Sequence, residues 1–221
     1  ENIMTDTLEY KGVKIRYLGH SGFIIAKGEY SIVLDPFLTG APMAVMKPSD
    51  IKASDILLTH GHQDHLGDAV EISKNNQAKI TAVMELAEYC TEQGAETIRV
   101  PIGGTWQYPW GSAQFRYAMH SGFLPDGRPF GQAASILLNI GGVKIYDLGD
   151  TALQQDFKLV GEIYKPDIAF IPIGGRANMN INEALVAARW LGAGIVVPIH
   201  YDLYTEGSCL LYTSPSPRDT E

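Results

Sequence analysis

Short runs of apolar residues, broken by glycine-containing turns, open the chain. "VKIRYL", "GFIIAK" and "SIVLD" follow one another closely and predict antiparallel strands. "DILLT" reads as a short buried strand. The following "HLGDAVEISKNN", with Leu66, Val70 and Ile72, predicts an amphipathic helix of modest length. "KITAVM" predicts a strand and "ELAEYCTEQG" a helix closed by Gly94. Strands are expected again at "AQFRYAMH", "ASILLNI" and "VKIYDLGD", the last two joined as a hairpin through Gly141-Gly142. "QQDFKLVGEIY" predicts a helix and "DIAFIPIG" a strand. "NEALVAARWLGA" predicts a helix with apolar residues at Leu185, Ala188 and Leu191, and "GIVVPIH" a last strand. Strands and helices intermixed throughout predict one α/β domain with sheets inside and helices outside. No sequence repeat and no linker interrupt it.

The stretch from Cys209, "CLLYTSPSPRDTE", has two Ser-Pro pairs and no periodicity. It is expected to be a non-native or flexible tail, leaving residues 1–208 as a single domain with a truncated C-terminus.

Composition narrows the classes. With 221 residues, 45% of them hydrophobic and 19% charged, the chain can bury a substantial core. Its 17 basic and 25 acidic residues leave a net charge of −8, which disfavours general nucleic-acid binding. Cys90 and Cys209 lie far apart without C-x-x-C partners, so no disulfide framework is expected and a reducing compartment fits. The N-terminus lacks a signal-peptide core, and no apolar run approaches the roughly 18–20 residues of a membrane span. A soluble, cytoplasmic protein is the expectation, with no membrane partner.

Candidate chemistry concentrates in "LLTHGHQDHLGD". Half of the six histidines sit there: His60, His62 and His65, with Asp64 and Asp68 beside them. The others end apolar runs. His20 follows "KIRYLG", His120 follows "FRYAM" and His200 follows "IVVPI", while Asp150 follows "VKIYDLG". Loops beyond strand ends converge on one edge in α/β architectures, and that edge is where ligands bind. Side chains two apart in an extended segment point the same way, so His60 and His62 can share one ion. Asp64 and His65, where the chain turns into a helix, can aim at a second. Asp150 is the natural carboxylate between them. Nitrogen and oxygen donors without cysteine suit Zn²⁺, and Mn²⁺ or Fe²⁺ also fit.

The run His60-x-His62-x-Asp64-His65, then His120, Asp150 and His200, resembles the metallo-β-lactamase superfamily. "VLDPFLTG", "LTHGHQDHLGD", "IGGT", "GDTAL", "IPIGG" and "VVPIHY" are similar to a small group of bacterial and archaeal metal-dependent hydrolases related to ascorbate-phosphate lactonases. The resemblance spans about Val13 to Tyr201. It implies an αββα sandwich, four layers with two mixed sheets between helices, and a binuclear site on one edge. One metal would take His60, His62 and His120, the other Asp64, His65 and His200, with Asp150 shared. The implied chemistry is activation of water against a carbonyl or phosphoryl centre, with Asp64 or Asp150 holding the water and passing on its proton. The di-iron oxygen-reducing branch typically has Glu where His62 stands, which disfavours that chemistry. Two departures are visible: Asp147 stands where relatives tend to have His, and relatives continue past "PIHY" with a strand and a helix.

Other residues have competing readings. His20 in "LGHSGF" is either a hydrogen-bonded turn residue or a catalytic one, supporting the metals or facing substrate, and its place on the same edge favours the second. Asp150 could merely cap a helix at "DTALQQD". Asp35 is expected to fix a turn or orient a ligand histidine. Arg128, Arg176 and Asn178 could meet an anionic substrate, though solvated surface explains them as well. Trp106, Tyr108 and Trp110 read as a packed hairpin more than as a substrate wall. The favoured function is a metal-dependent hydrolase of a small ester, lactone or phosphorylated metabolite. A phosphodiesterase or nuclease on the same scaffold, or a non-catalytic metal-stabilised binding protein, are the alternatives. A small-molecule substrate is the expected partner, and a homo-oligomer is compatible with the group.

Overall fold

A computed structural model describes residues 7–201. The tail from Cys209 therefore lies outside the described residues. The first sheet runs in chain order: β1 (Thr7–Tyr10), β2 (Val13–Gly19), β3 (Gly22–Lys27), β4 (Tyr30–Leu34), β5 (Asp55–Leu57), β6 (Lys79–Ala82) and β7 (Thr97–Arg99). Its first four strands pair antiparallel and its last three continue in parallel. The second sheet repeats that plan with β8 (Thr105–Tyr108), β9 (Gly111–Tyr117), β10 (Ala134–Ile140), β11 (Val143–Asp147), β12 (Ile168–Pro172) and β13 (Ile195–Ile199). Here β8 to β11 are antiparallel, and β11, β12 and β13 are parallel. No sequence repeat announces this two-fold plan, because packing needs only apolar character at equivalent positions and not identical residues.

Helices α1 (Gln63–Leu66), α2 (Ala69–Asn76) and α3 (Met84–Glu92) belong to the first half, and α4 (Asp156–Ile163) and α5 (Ile181–Leu191) to the second. α2 and α3 pack on β5–β7 and α5 on β12, so the layers run helix, sheet, sheet, helix. The faces between the sheets carry the main core, where Phe23 of β3 and Phe170 of β12 stack with ring centroids 3.9 Å apart. A second core, including Tyr146, Phe157, Val160, Ala187 and Leu191, seals the second sheet against α4 and α5.

Three expectations need correction. The helix expected over 65–76 is two helices. Gly67 at φ 43° breaks it where a Cβ would come within 2.5 Å of the Pro36 carbonyl oxygen, so the chain must turn there. α4 begins at Asp156, not near Asp150, which removes the helix-cap reading of Asp150. α5 buries Ala184, Ala187 and Leu191, while Leu185 stays exposed, because close approach to β12 favours the small side chains. Strands β1 and β7 escaped the pattern: each is four residues or fewer and half-buried at most. The "TWQYPW" hairpin packs as expected through Tyr108 and Trp110, stacked at 4.3 Å, whereas Trp106 is exposed. Cys90 is buried, and burial pushes its thiol up to about 12. Among the described residues no helix is long and apolar enough to cross a membrane.

Candidate metal centre

Each candidate side chain sits just past a strand. His20 lies in the turn after β2, Asp35 after β4 and His60 beyond β5. His120 follows β9, Asp150 follows β11 and His200 ends β13. Three of them hold left-handed backbones: His20 at φ 54°, Asp35 at 39° and His200 at 57°. For residues with a Cβ this costs on the order of 1–3 kcal/mol each, sustained by the surrounding packing. Strain gathered at one edge marks a place where side-chain direction outweighs backbone ease. The single turn of α1 separates the cluster in two. His62 at its N-cap is extended and faces back toward His60, while Asp64 and His65 lie within the turn.

Two quartets result. In the first, His60, His62, His120 and Asp150 each offer one ligating atom, all within 4.8 Å of one another. The Nδ1 of His62 lies 3.0 Å from His60 Nε2 and 3.1 Å from His120 Nε2. In the second, His20, Asp64, His65 and His200 meet the same limit. Asp150 reaches both, at 3.7 Å from His120 Nε2, 3.6 Å from His65 Nε2 and 3.0 Å from His200 Nε2. All seven residues that the sequence pointed to thus come together, and His20 joins them with its Nε2 3.1 Å from Asp64 Oδ2.

The donors fit divalent cations on their own chemistry. Three ring nitrogens converge at His62 Nδ1, and one proton there can satisfy only one of its two contacts, which leaves nitrogen lone pairs crowded together. His65 Nε2 is buried with no hydrogen-bond partner, and it is the atom that faces Asp150. A buried polar atom without a partner is costly unless something completes it.

Electrostatics separates the histidines. Burial lowers His60, His62, His120 and His20 below their ordinary value, keeping them neutral and able to ligate. Burial also opposes charge on His65 and His200. Asp150 and Asp35 outweigh it at His65, holding it well above the ordinary value, and Asp150 and Asp64 push His200 up to about 9. Burial would raise Asp64 and Asp150 too, but their histidine partners hold both well below the usual carboxylate range.

Asp35 braces His65. Its Oδ2 lies 2.7 Å from His65 Nδ1, and it accepts hydrogen bonds from the backbone N–H and the hydroxyl of Thr59. That leaves Nε2 as the ligating atom. Asp147 is fully enclosed, accepts from Gly149 N at 3.0 Å, and is pushed up to about 8 by burial and by Asp35. Of the anion candidates, Arg128 is taken up by Glu92 and Asp126, and Arg176 is exposed on the loop after β12. Asn178 has a different task from the solvated surface first read for it: its amide donates to Asp150 Oδ1 at 3.0 Å. Thr59 was overlooked, although its place directly before His60 was a usable signal. Nothing local pointed to Asn178, whose role exists only because the loop after β12 folds over Asp150.

The beta-lactamase superfamily domain matches residues 14–200. The chain belongs to the metallo-β-lactamase superfamily. Within it, the chain groups with the metal-dependent hydrolases. It is 45% identical over 196 residues to a UPF0173 metal-dependent hydrolase of Geobacillus thermodenitrificans, covering 87% of each chain. A counterpart of Bacillus cereus is 41% identical over 197 residues, again with 87% of each chain covered. Among solved structures, the metallo hydrolase Igni18 of the hyperthermophilic archaeon Ignicoccus hospitalis superposes with a TM-score of 0.79 at 32% identity, over 87% of this chain and 84% of that one. The αββα sandwich expected from the sequence is therefore the fold.

One residue absent from the ligand pattern controls it directly. A Cβ at Gly122 would fall 1.9 Å from His62 Nε2, and the ring of Phe130 flanks His62 at 5.0 Å. Gly122→Ala is expected to displace His62 and weaken divalent-ion affinity at its position by about 10–100-fold, the range for loss of a supporting contact. Calorimetric titration of metal-free protein with Zn²⁺, beside far-UV circular dichroism, checks this. Unchanged affinity in the folded variant would refute it.

Proposed function

We propose that the chain hydrolyses a small ester, lactone or phosphorylated metabolite using two divalent ions, one in each histidine–carboxylate quartet. The observation that supports this best is the position of Asp150, within 3.7 Å of histidines belonging to both quartets. Zn²⁺ suits the nitrogen and oxygen donors, and Mn²⁺ and Fe²⁺ are accepted by the same set. His60, His62 and His120 would hold one ion, Asp64, His65 and His200 the other, with Asp150 common to both. When bound, such ions supply Lewis acidity that makes water a nucleophile near neutral pH.

The chain's own groups do the rest. Asp64, partly exposed, holds the attacking water and takes its proton. His20 lies against Asp64 and sets its orientation, and Asp35 and Asn178 do the same for His65 and Asp150. Asp64 belongs on the reacting side because it alone of the acids at the cluster is not fully enclosed, whereas Asp35, Asp147 and Asp150 are buried.

Elemental analysis of chelator-free protein is expected to find close to two ions per chain. Exhaustive chelation is expected to abolish hydrolysis of esters, lactones and phosphoesters, and added Zn²⁺ or Mn²⁺ to restore it. Loss of ions should also lower thermal stability, since a ligand at 1,000 times its Kd contributes about 4 kcal/mol. One ion or none in well-folded protein would overturn the binuclear reading. Chelation that unfolds the chain, with no hydrolysis to lose, would favour a structural role for the metal.

A further inference from the structure

Three segments adjoin residues of the histidine cluster, and each carries a large, solvent-exposed apolar side chain. The first lies between the end of β9 and His120: Met119 is 47% exposed, and its backbone is bound on both sides to the stretch after Asp150, through Thr151 Oγ1 at 3.0 Å and Ala152 N at 3.2 Å. The second is the small hairpin 122–130, tied by the Phe123–Pro129 bridge. Phe123 is 63% exposed and directly follows Gly122, the residue lodged against His62. The third is the segment 43–45, where the Met43 carbonyl leaves no room for a Cβ on Gly19 and Val45 N donates to Leu18 O, next to His20. Val45 is 44% exposed.

Exposed apolar side chains scattered singly need no explanation, but three on segments that adjoin one polar centre do. Each quartet holds one carboxylate among three histidines, and Arg128, a candidate for an anionic substrate, is already paired with Glu92 and Asp126. We infer that Phe123, Met119 and Val45 form the substrate-recognition rim, and that the substrate is a neutral carboxylic ester or lactone bearing an apolar acyl or alkyl group. This rests on the hydrolase reading above and narrows it. In the reaction the oxygen of water bonds to the acyl carbon, the carbon–oxygen ester bond breaks, and the proton of water leaves with the alcohol. An apolar rim beside such a centre removes the substrate's hydrocarbon from water without a charged contact.

The test uses metal-loaded protein and 4-nitrophenyl acetate, butyrate and hexanoate, with 4-nitrophenyl phosphate as the anionic arm and spontaneous hydrolysis subtracted. Each methylene that leaves water contributes about 4-fold in kcat/KM. With two or three of the four added methylenes of hexanoate leaving water, its expected preference over acetate is on the order of tenfold to a hundredfold, carried mainly by KM, with the phosphate turned over poorly. Phe123→Ala with Met119→Ala is expected to reduce that preference to about 3-fold, with ion content unaltered, while Leu185→Ala on the far helix leaves the ratio as it was. Ester hydrolysis without chain-length preference, a preference untouched by the double substitution, or faster phosphate turnover overturns the rim while sparing the hydrolase. No turnover of any substrate by protein holding two ions overturns both.

Discussion

Asp150→Ala is expected to reduce bound divalent metal from about two ions per chain to one or fewer, and to lower kcat/KM by on the order of 10³-fold, about 4 kcal/mol of transition-state stabilisation. The carboxylate lies within 3.7 Å of His65, His120 and His200, so its removal strips a negative donor from both quartets at once. Without it the first quartet offers only neutral imidazoles to its cation, and the second keeps Asp64 alone. Asp150→Asn separates charge from shape: it keeps the size of the side chain but not its charge, and ion loss is expected to persist. Elemental analysis of both variants, with circular dichroism to show that they fold, reads the result directly. A folded Asp150→Ala protein that keeps two ions would remove Asp150 from the bridging position.

The largest effect on stability is expected at the contact between the sheets. Phe170 of β12 and Phe23 of β3 are both buried and stack at 3.9 Å with planes 15° apart, joining the two halves of the sandwich. Truncating such a ring leaves a cavity that neighbouring strands, each held in a sheet on both sides, relax into poorly. Phe170→Ala is expected to cost about 3–5 kcal/mol. For a domain of this size that lowers Tm by roughly 6–20 °C, measured by calorimetry on the metal-free protein so that lost metal affinity does not add to it. A shift below about 3 °C would show that the two sheets do not depend on this contact. The ligands sit at the strand ends, so cooled Phe170→Ala protein should still bind two ions.

Much of this molecule was decided by its residue order. Period-two alternation in "VKIRYL", the apolar run "ASILLNI" and the Gly141-Gly142 turn specify strands locally, and the structure places them at β2, β10 and the β10–β11 hairpin. The His-x-His-x-Asp-His run likewise carries its own geometry, because an extended pair followed by one helical turn aims its side chains at two adjacent points whatever surrounds it. Strand-end positions made His20, His120, Asp150 and His200 readable as companions, since α/β connections bring those ends to one edge.

Other features exist only after the chain is packed. Asp35 and Thr59 are 24 residues apart, and Asn178 and Asp150 are 28 apart, so their hydrogen bonds follow from parallel pairing of β4 with β5 and from the loop closing after β12. Gly122 meets His62 across 60 positions of sequence. Whether Leu185 faced core or water turned on how closely α5 approaches β12. Local pattern can say which residues seek burial or a metal, because that preference belongs to the side chain. Which neighbour supplies the bracing carboxylate, the supporting amide or the absent Cβ belongs to the packing, and there the tertiary structure alone decided.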